Sequence, residues 1–161
     1  MGVKALFALD NIWDGIGAVL FNHPEMRYMI GKVTIYPGYN EQARELIYAY
    51  LDRYHKGEQG LIEPYHPLLS QPLTHSPFEG EDKQENYHIL QHAVREQGTV
   101  IPPIFTAYLN LTNDLQFFGN AINDEFSDVL ESGIMVDLET VYPEKKERYI
   151  NSYIKWLNSI E

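Results

Sequence analysis

Apolar residues near the start of the chain recur at helical spacing. Leu6, Leu9, Trp13, Ile16 and Leu20 follow one another at steps of three and four, and Phe7, Ile12 and Val19 widen the stripe. Such a band belongs to a helix packed against a large core. Gly15 and Gly17 interrupt it, each at a cost of about 1 kcal/mol relative to Ala in a helix interior. Their presence predicts a close approach by another element. Asn22 and His23 precede Pro24, and a residue before proline avoids the helical region, so the helix stops there. In "GKVTIYPG" the period changes to two: Val33 and Ile35 alternate with Lys32, Thr34 and Tyr36, and Pro37-Gly38 ends the strand. "NEQARELIYAYLDRYHKG" returns to helical spacing, with Asn40 as N-cap and Gly57 as stop. Ala43, Ile47, Tyr50 and Tyr54 share its inward face, with Leu46 and Leu51 beside them. Strand, tight turn and amphipathic helix together read as half of an α/β unit.

Residues 61–82 carry Pro64, Pro67, Pro72 and Pro77 and read as an irregular but ordered crossing with a mobile tip at "EGEDKQ". A helix follows over residues 82–97, with Tyr87, Leu90 and Val94 inward. Pro102 and Pro103 stand where a helix start tolerates proline. "LQFFGNAI" and "GIMVDLETV" read as strands joined by the acidic "NDEFSDVLES". In the last helix, after Pro143, Tyr149, Tyr153, Trp156 and Ile160 line one face. The pattern predicts an α+β fold of about three strands with flanking helices, which is few strands for a self-contained α/β domain.

Composition narrows the function classes. The 161 residues carry a formal net charge of -11, which repels phosphate backbones and argues against nucleic acid as a partner. There are no cysteines, so disulfide and thiolate chemistry are excluded, in keeping with a cytoplasmic protein. No apolar run reaches the ~20 residues needed to span a bilayer. His88 and His92 share a helix face, with His66 and His75 upstream, but zinc needs a third ligand and an ordered surround. No metal site is expected. The acidic run Asp124, Glu125, Asp128, Glu131 lacks the glycine of a calcium loop. It reads as a solvated connection, although a carboxylate there can take a proton from an incoming amine.

"W-x-G-I-G" (Trp13, Gly15, Ile16, Gly17), then Asn22, Pro24, Arg27 and Tyr28, then Gly31 and Val33, form an ordered series. With "IPPIFTAYLNL", "FGNAINDEFSDVLESGIMVDL" and "ERYI", they resemble the hemolysin-like branch of the GNAT superfamily of N-acyltransferases. The similarity covers most of the chain and is weakest over residues 61–98. The resemblance implies a partial GNAT-like fold: residues 1–161 would be a single domain or the C-terminal half of one, beginning at its third helix. In the family an "E-L-G-R" strand and loop precede that helix. The resemblance also implies transfer of a fatty acyl group in lipid biosynthesis. The donor is an acyl carrier protein or CoA thioester, used as cosubstrate rather than as a tightly bound cofactor. The acceptor is a small amine such as glycine or ornithine. Such work suits the cytoplasm or the inner face of the cytoplasmic membrane.

Family sites map onto particular positions. The carrier's phosphate group would meet the start of the first helix at Gly2 and Lys4, where free N–H groups and the helix dipole attract anions. Asn40 would help hold the acyl-carrying arm; as an isolated residue it reads simply as a cap. The family's tyrosine spacing lands on Ile47, with Tyr48 one residue on. Tyr48 and Tyr50 are therefore the candidates for protonating the departing thiolate, expected to face a cleft beside Tyr36. Otherwise they are half-buried packing. A missing N-terminal half or a second copy is the expected cover for the strand "GKVTIY" and the first helix, and this chain alone is expected not to catalyse acyl transfer. The other reading is a non-catalytic interaction module that pairs through an exposed sheet edge.

Overall fold

In a computed structural model, residues 3–69, 71 and 73–160 are described. The elements, in chain order, are α1 (Val3–Asn22), β1 (Tyr28–Ile35), α2 (Glu41–Tyr54), β2 (Pro67–Leu68), α3 (Lys83–Glu96), α4 (Pro103–Leu109), β3 (Gln116–Asn123), β4 (Val129–Asp137) and α5 (Pro143–Ile160). The four strands form one antiparallel sheet in the order β1-β4-β3-β2. The arrangement is α+β and compatible with part of a GNAT-like fold.

The sheet differs from the sequence reading in three ways. The crossing contributes a short fourth strand, in which Pro67 and Leu68 pair with Ala121 and Asn120 of β3. Proline is admissible there because β2 is an edge. The link between β3 and β4 is shorter than "NDEFSDVLES" suggested, since β4 already begins at Val129 and buries Leu130 and Ser132. The chain reverses instead through Ser127 and Asp128, both with positive φ, a conformation that the short acidic side chain of Asp128 tolerates. The strand-turn-helix of β1 and α2 is present, but β1 pairs antiparallel with β4 rather than opening a parallel unit. In β3, two residues, Phe118 and Gly119, face Gly133 alone. This bulge turns on Gly119, whose φ of +88° suits glycine.

The core lies between the sheet and the pair α2–α3. Val33, Ile35, Phe117, Ile134 and Val136 from the strands meet Ile47, Leu51, Leu90 and Val94 from the helices. The irregular crossing is pinned over this layer by side chains. Glu45 is buried, pairs with Arg44 and accepts from the Gln71 amide at 3.0 Å. Arg53 donates to the Phe78 carbonyl at 3.0 Å, and Phe78 itself is buried. The tip "EGEDKQ" is tied down rather than loose. Asn86 accepts from the Gly80 amide and donates to the Gly80 and Asp82 carbonyls, and Asp82 caps α3 through the Glu85 amide at 2.8 Å. Buried backbone needs such partners wherever no ladder supplies them.

Toward the Tyr28 end of β1, on the face that Met29 shares with Val33 and Ile35, α1 packs along α5. Gly17 makes this possible, since a Cβ there would lie 2.3 Å from the Tyr149 carbonyl oxygen of α5. Gly15 has open space beside it, so the structure gives no packing reason for that glycine. Trp13 is buried, edge-on to Tyr108 of α4 at 5.2 Å and tilted against Tyr149 at 5.9 Å.

Candidate functional site

Strand β1 stands at the end of the sheet, with β4 on one side and no strand on the other among the described residues. Its exposed side chains include Tyr28 and Ile30, the latter 64% accessible. An edge strand offers unpaired N–H and C=O groups, and here the row is bordered by apolar surface. The expectation of an open "GKVTIY" edge matches this geometry.

The candidate residues from the sequence fall in three places. Gly2 lies outside the described residues. Lys4 belongs to the helix α1, but its side chain lies outside what is described. Asn40 caps α2: its Oδ1 accepts from the Ala43 amide at 3.0 Å, and its Nδ2 donates to the Gln97 carbonyl at 3.2 Å. Both ends of the amide are engaged within the chain, and they join the start of α2 to the end of α3.

Tyr48 and Tyr50 lie one residue apart on α2 and point to different surroundings. Both are buried, with 1% and 2% exposure, whereas Tyr36 is 64% exposed. Neither ring opens beside Tyr36, contrary to the sequence expectation. The reason is the width of the buried face of α2, which carries Tyr48 as well as Ala43, Ile47 and Leu51. The Tyr48 hydroxyl makes no hydrogen bond. Burial pushes its pKa up to about 12, against weaker pulls from Arg44 and Ser132. Ser132 gives its own hydrogen to Asn120 Oδ1 at 2.7 Å. Tyr50 donates to the Lys83 carbonyl at 3.1 Å, and its pKa is also raised, mainly by burial. Tyr50 lines a polar cavity of about 670 Å³ with His55, Lys83 and Asn113.

His55 was not expected from the sequence, where it falls in the last turn of a helix read as far as Gly57; in the structure it is the C-cap of α2. It is 4% exposed, with Nδ1 3.0 Å from the Leu115 carbonyl and Nε2 unpartnered. That contact makes Nδ1 the donor and leaves Nε2 as a bare acceptor in the neutral ring. Burial, reinforced by the nearby Lys83 charge, lowers its pKa to about 4. A second cavity, of about 450 Å³, lies between α1, α5 and the start of β1, with largely apolar walls. Among the described residues no group of three His, Asp or Glu side chains is placed to hold a metal ion, and His88 and His92 are exposed on α3. The acidic run is divided by the fold: Glu131 sits on β4 and pairs with Lys32 at 2.6 Å, and Asp124 and Glu125 border the turn.

The chain is 38% identical over 157 residues to the glycine N(alpha)-acyltransferases of Bacteroides thetaiotaomicron and Phocaeicola vulgatus. It is homologous to N-acyltransferases. The match covers 96% of this chain and 47% and 48% of the two relatives, so the chain spans about half the length of the curated relatives it matches. This is consistent with the resemblance to GNAT-type acyltransferases. No protein-family profile and no solved structure matches the chain. No described helix is long and apolar enough to cross a membrane.

Proposed function

We propose that this chain forms part of an N-acyltransferase that moves a fatty acyl group from an acyl carrier protein or CoA thioester to the amine of glycine. The observation that carries this reading is the 38% identity to glycine N(alpha)-acyltransferases along 96% of the chain. Ornithine is the second acceptor in the same chemistry. The reaction belongs to lipid biosynthesis, in the cytoplasm or at the inner face of its membrane.

The neutral amine attacks the thioester carbonyl. A C–N bond forms, the C–S bond breaks, the amine proton passes to a base, and the thiolate leaves and is protonated. The contribution of the protein is positioning and hydrogen-bond donors aimed at the developing oxyanion. The open edge of β1 supplies unpaired backbone N–H groups for the arm of the donor, and Gly2 and Lys4 mark the α1 end for its phosphate. Asn40, fully engaged as a cap, acts on the arm by positioning α2. Between the two tyrosines, Tyr48 has the free hydroxyl, but a pKa near 12 makes it a weaker acid than ordinary tyrosine. It must be brought into contact with the site by whatever covers β1.

The test is expression of the complete reading frame in a host without N-acylated amino acids, with mass spectrometry of its lipids. N-acylglycine is the expected product, and its absence alongside abundant folded protein overturns the reading. In that background Tyr48→Phe or Tyr50→Phe removes the proton donor and keeps the ring. Loss of ~10²–10⁴-fold in turnover is expected for the responsible residue, and unchanged turnover in both variants removes them from catalysis. The other reading, an interaction module, is favoured by the apolar border of the β1 edge, Tyr28 and Ile30. It predicts partner binding without any acyl product.

A further inference from the structure

The cavity between α1 and α5 is lined by cations in an acidic chain. Trp13, Leu20, Met29, Leu111 and Ile150 give it apolar walls, and its volume of about 450 Å³ is ordinary for a small-molecule site. Among the described residues its charged lining groups are Lys145 and Lys146, with no carboxylate, although the chain carries a net charge of -11. Both lysines are half-buried. Lys146 Nζ donates to the Glu139 carbonyl at 3.2 Å. The Lys145 ammonium has no side-chain partner among the described residues. Lys145 also lines the polar cavity on its other side, beside Lys83 and Asn113. An apolar chamber and a polar one therefore adjoin at Lys145, a half-buried residue whose ammonium has no side-chain partner among the described residues.

We infer that the α1–α5 cavity is a product site: it holds the hydrocarbon tail of an N-acyl amino acid whose carboxylate is taken by Lys145, with the head reaching toward the polar cavity. The assignment rests on the proposed acyl transfer, and charge complementarity selects the product over the donor. A thioester carries no carboxylate on its acyl chain, whereas acylation of glycine attaches one to it. A carboxylate is the natural partner of an ammonium at the mouth of an apolar cavity, where the aromatic and aliphatic walls cover the tail.

Trp13 lines this cavity, and the chain has two tryptophans, the other being the exposed Trp156. In the Trp156→Phe chain, Trp13 fluorescence reports the cavity without any need for turnover. The probes are N-(12-bromododecanoyl)glycine, its methyl ester, and 12-bromododecanoate. Saturable quenching by the acylglycine is expected, with binding about tenfold weaker for the uncharged ester, as for loss of one charge-assisted hydrogen bond. Lys145→Met should erase the difference between acid and ester while leaving ester binding unchanged. Val141→Phe, which narrows the cavity, should abolish quenching with the circular dichroism spectrum retained. No quenching by the acylglycine, or equal affinity for acid and ester, overturns the site. Equal affinity for 12-bromododecanoate overturns its assignment to the acylated amino acid. Quenching in a protein whose complete reading frame makes no N-acylglycine refutes the reaction instead, and the product without quenching refutes this site.

Discussion

The two helix pairs that pack beside β1 are built differently. The α2–α3 layer is a dense core: Ile47, Leu51, Leu90 and Val94 are essentially inaccessible, and buried Glu45 and Asn86 bind the crossing to it. In the α1–α5 layer, among the described side chains, Trp13 is fully buried and no side chain of α5 is. Val19, Phe21 and Trp156 remain exposed, and a cavity separates the helices from the start of β1. Close packing leaves no room for a ligand, whereas a layer held by one glycine contact and a few rings leaves an apolar chamber. Stability is therefore expected to reside in the first layer and ligand chemistry in the second.

The largest effect should come from hollowing the dense layer. Leu90→Ala is expected to cost about 2–5 kcal/mol in denaturant unfolding, and Ile150→Ala, facing the cavity, about 1 kcal/mol or less. Equal costs would break the contrast. Next in size is the pH dependence of the dense layer. The folded chain keeps His55 neutral down to about pH 4, while the unfolded chain binds that proton near 6.5. Stability must then fall as pH drops from about 6.5 to 4, by about 3 kcal/mol from this group. His55→Gln should flatten that part of the profile relative to wild type.

The α1–α5 contact gives a paired test of smaller size. Gly17→Ala places a Cβ 2.3 Å from a backbone oxygen and should cost about 1–3 kcal/mol in thermal or denaturant unfolding. Gly15→Ala meets nothing within 4 Å and should stabilise α1 by up to about 1 kcal/mol. The same sign for both would mean that the helices do not meet at Gly17. The smallest effect is expected at Tyr48. Because its buried hydroxyl lacks a partner, Tyr48→Phe should leave stability unchanged or raise it by up to about 1 kcal/mol. A clear loss would show that the hydroxyl is bonded in solution.

Much of this molecule is written in local pattern. Period-two alternation located β1, period 3.6 located α2, α3 and α5, and Asn40 stands as the cap its residue type implies, because each of these depends on neighbours within a turn or two. The glycine puzzle in α1 was half legible: a close approach was predicted, and the fold supplies it at Gly17 but not at Gly15. Other features arise between elements distant in the chain. The pairing of β1 with β4 joins residues about a hundred positions apart, so neither its antiparallel sense nor the open edge of β1 follows from the strand's own residues. Tyr48 is buried because a broad face of α2 meets Ser132 and its neighbours across the sheet, and periodicity ranks faces without measuring how far a partner wraps them. His55 becomes a neutral, half-satisfied base through the Leu115 carbonyl sixty residues later, and Lys145 becomes the hinge of two chambers only when α5 packs beside α1 and α4. Local propensity determined the helices and longer strands, and long-range packing alone decided which polar atoms lost their water and where empty space remained.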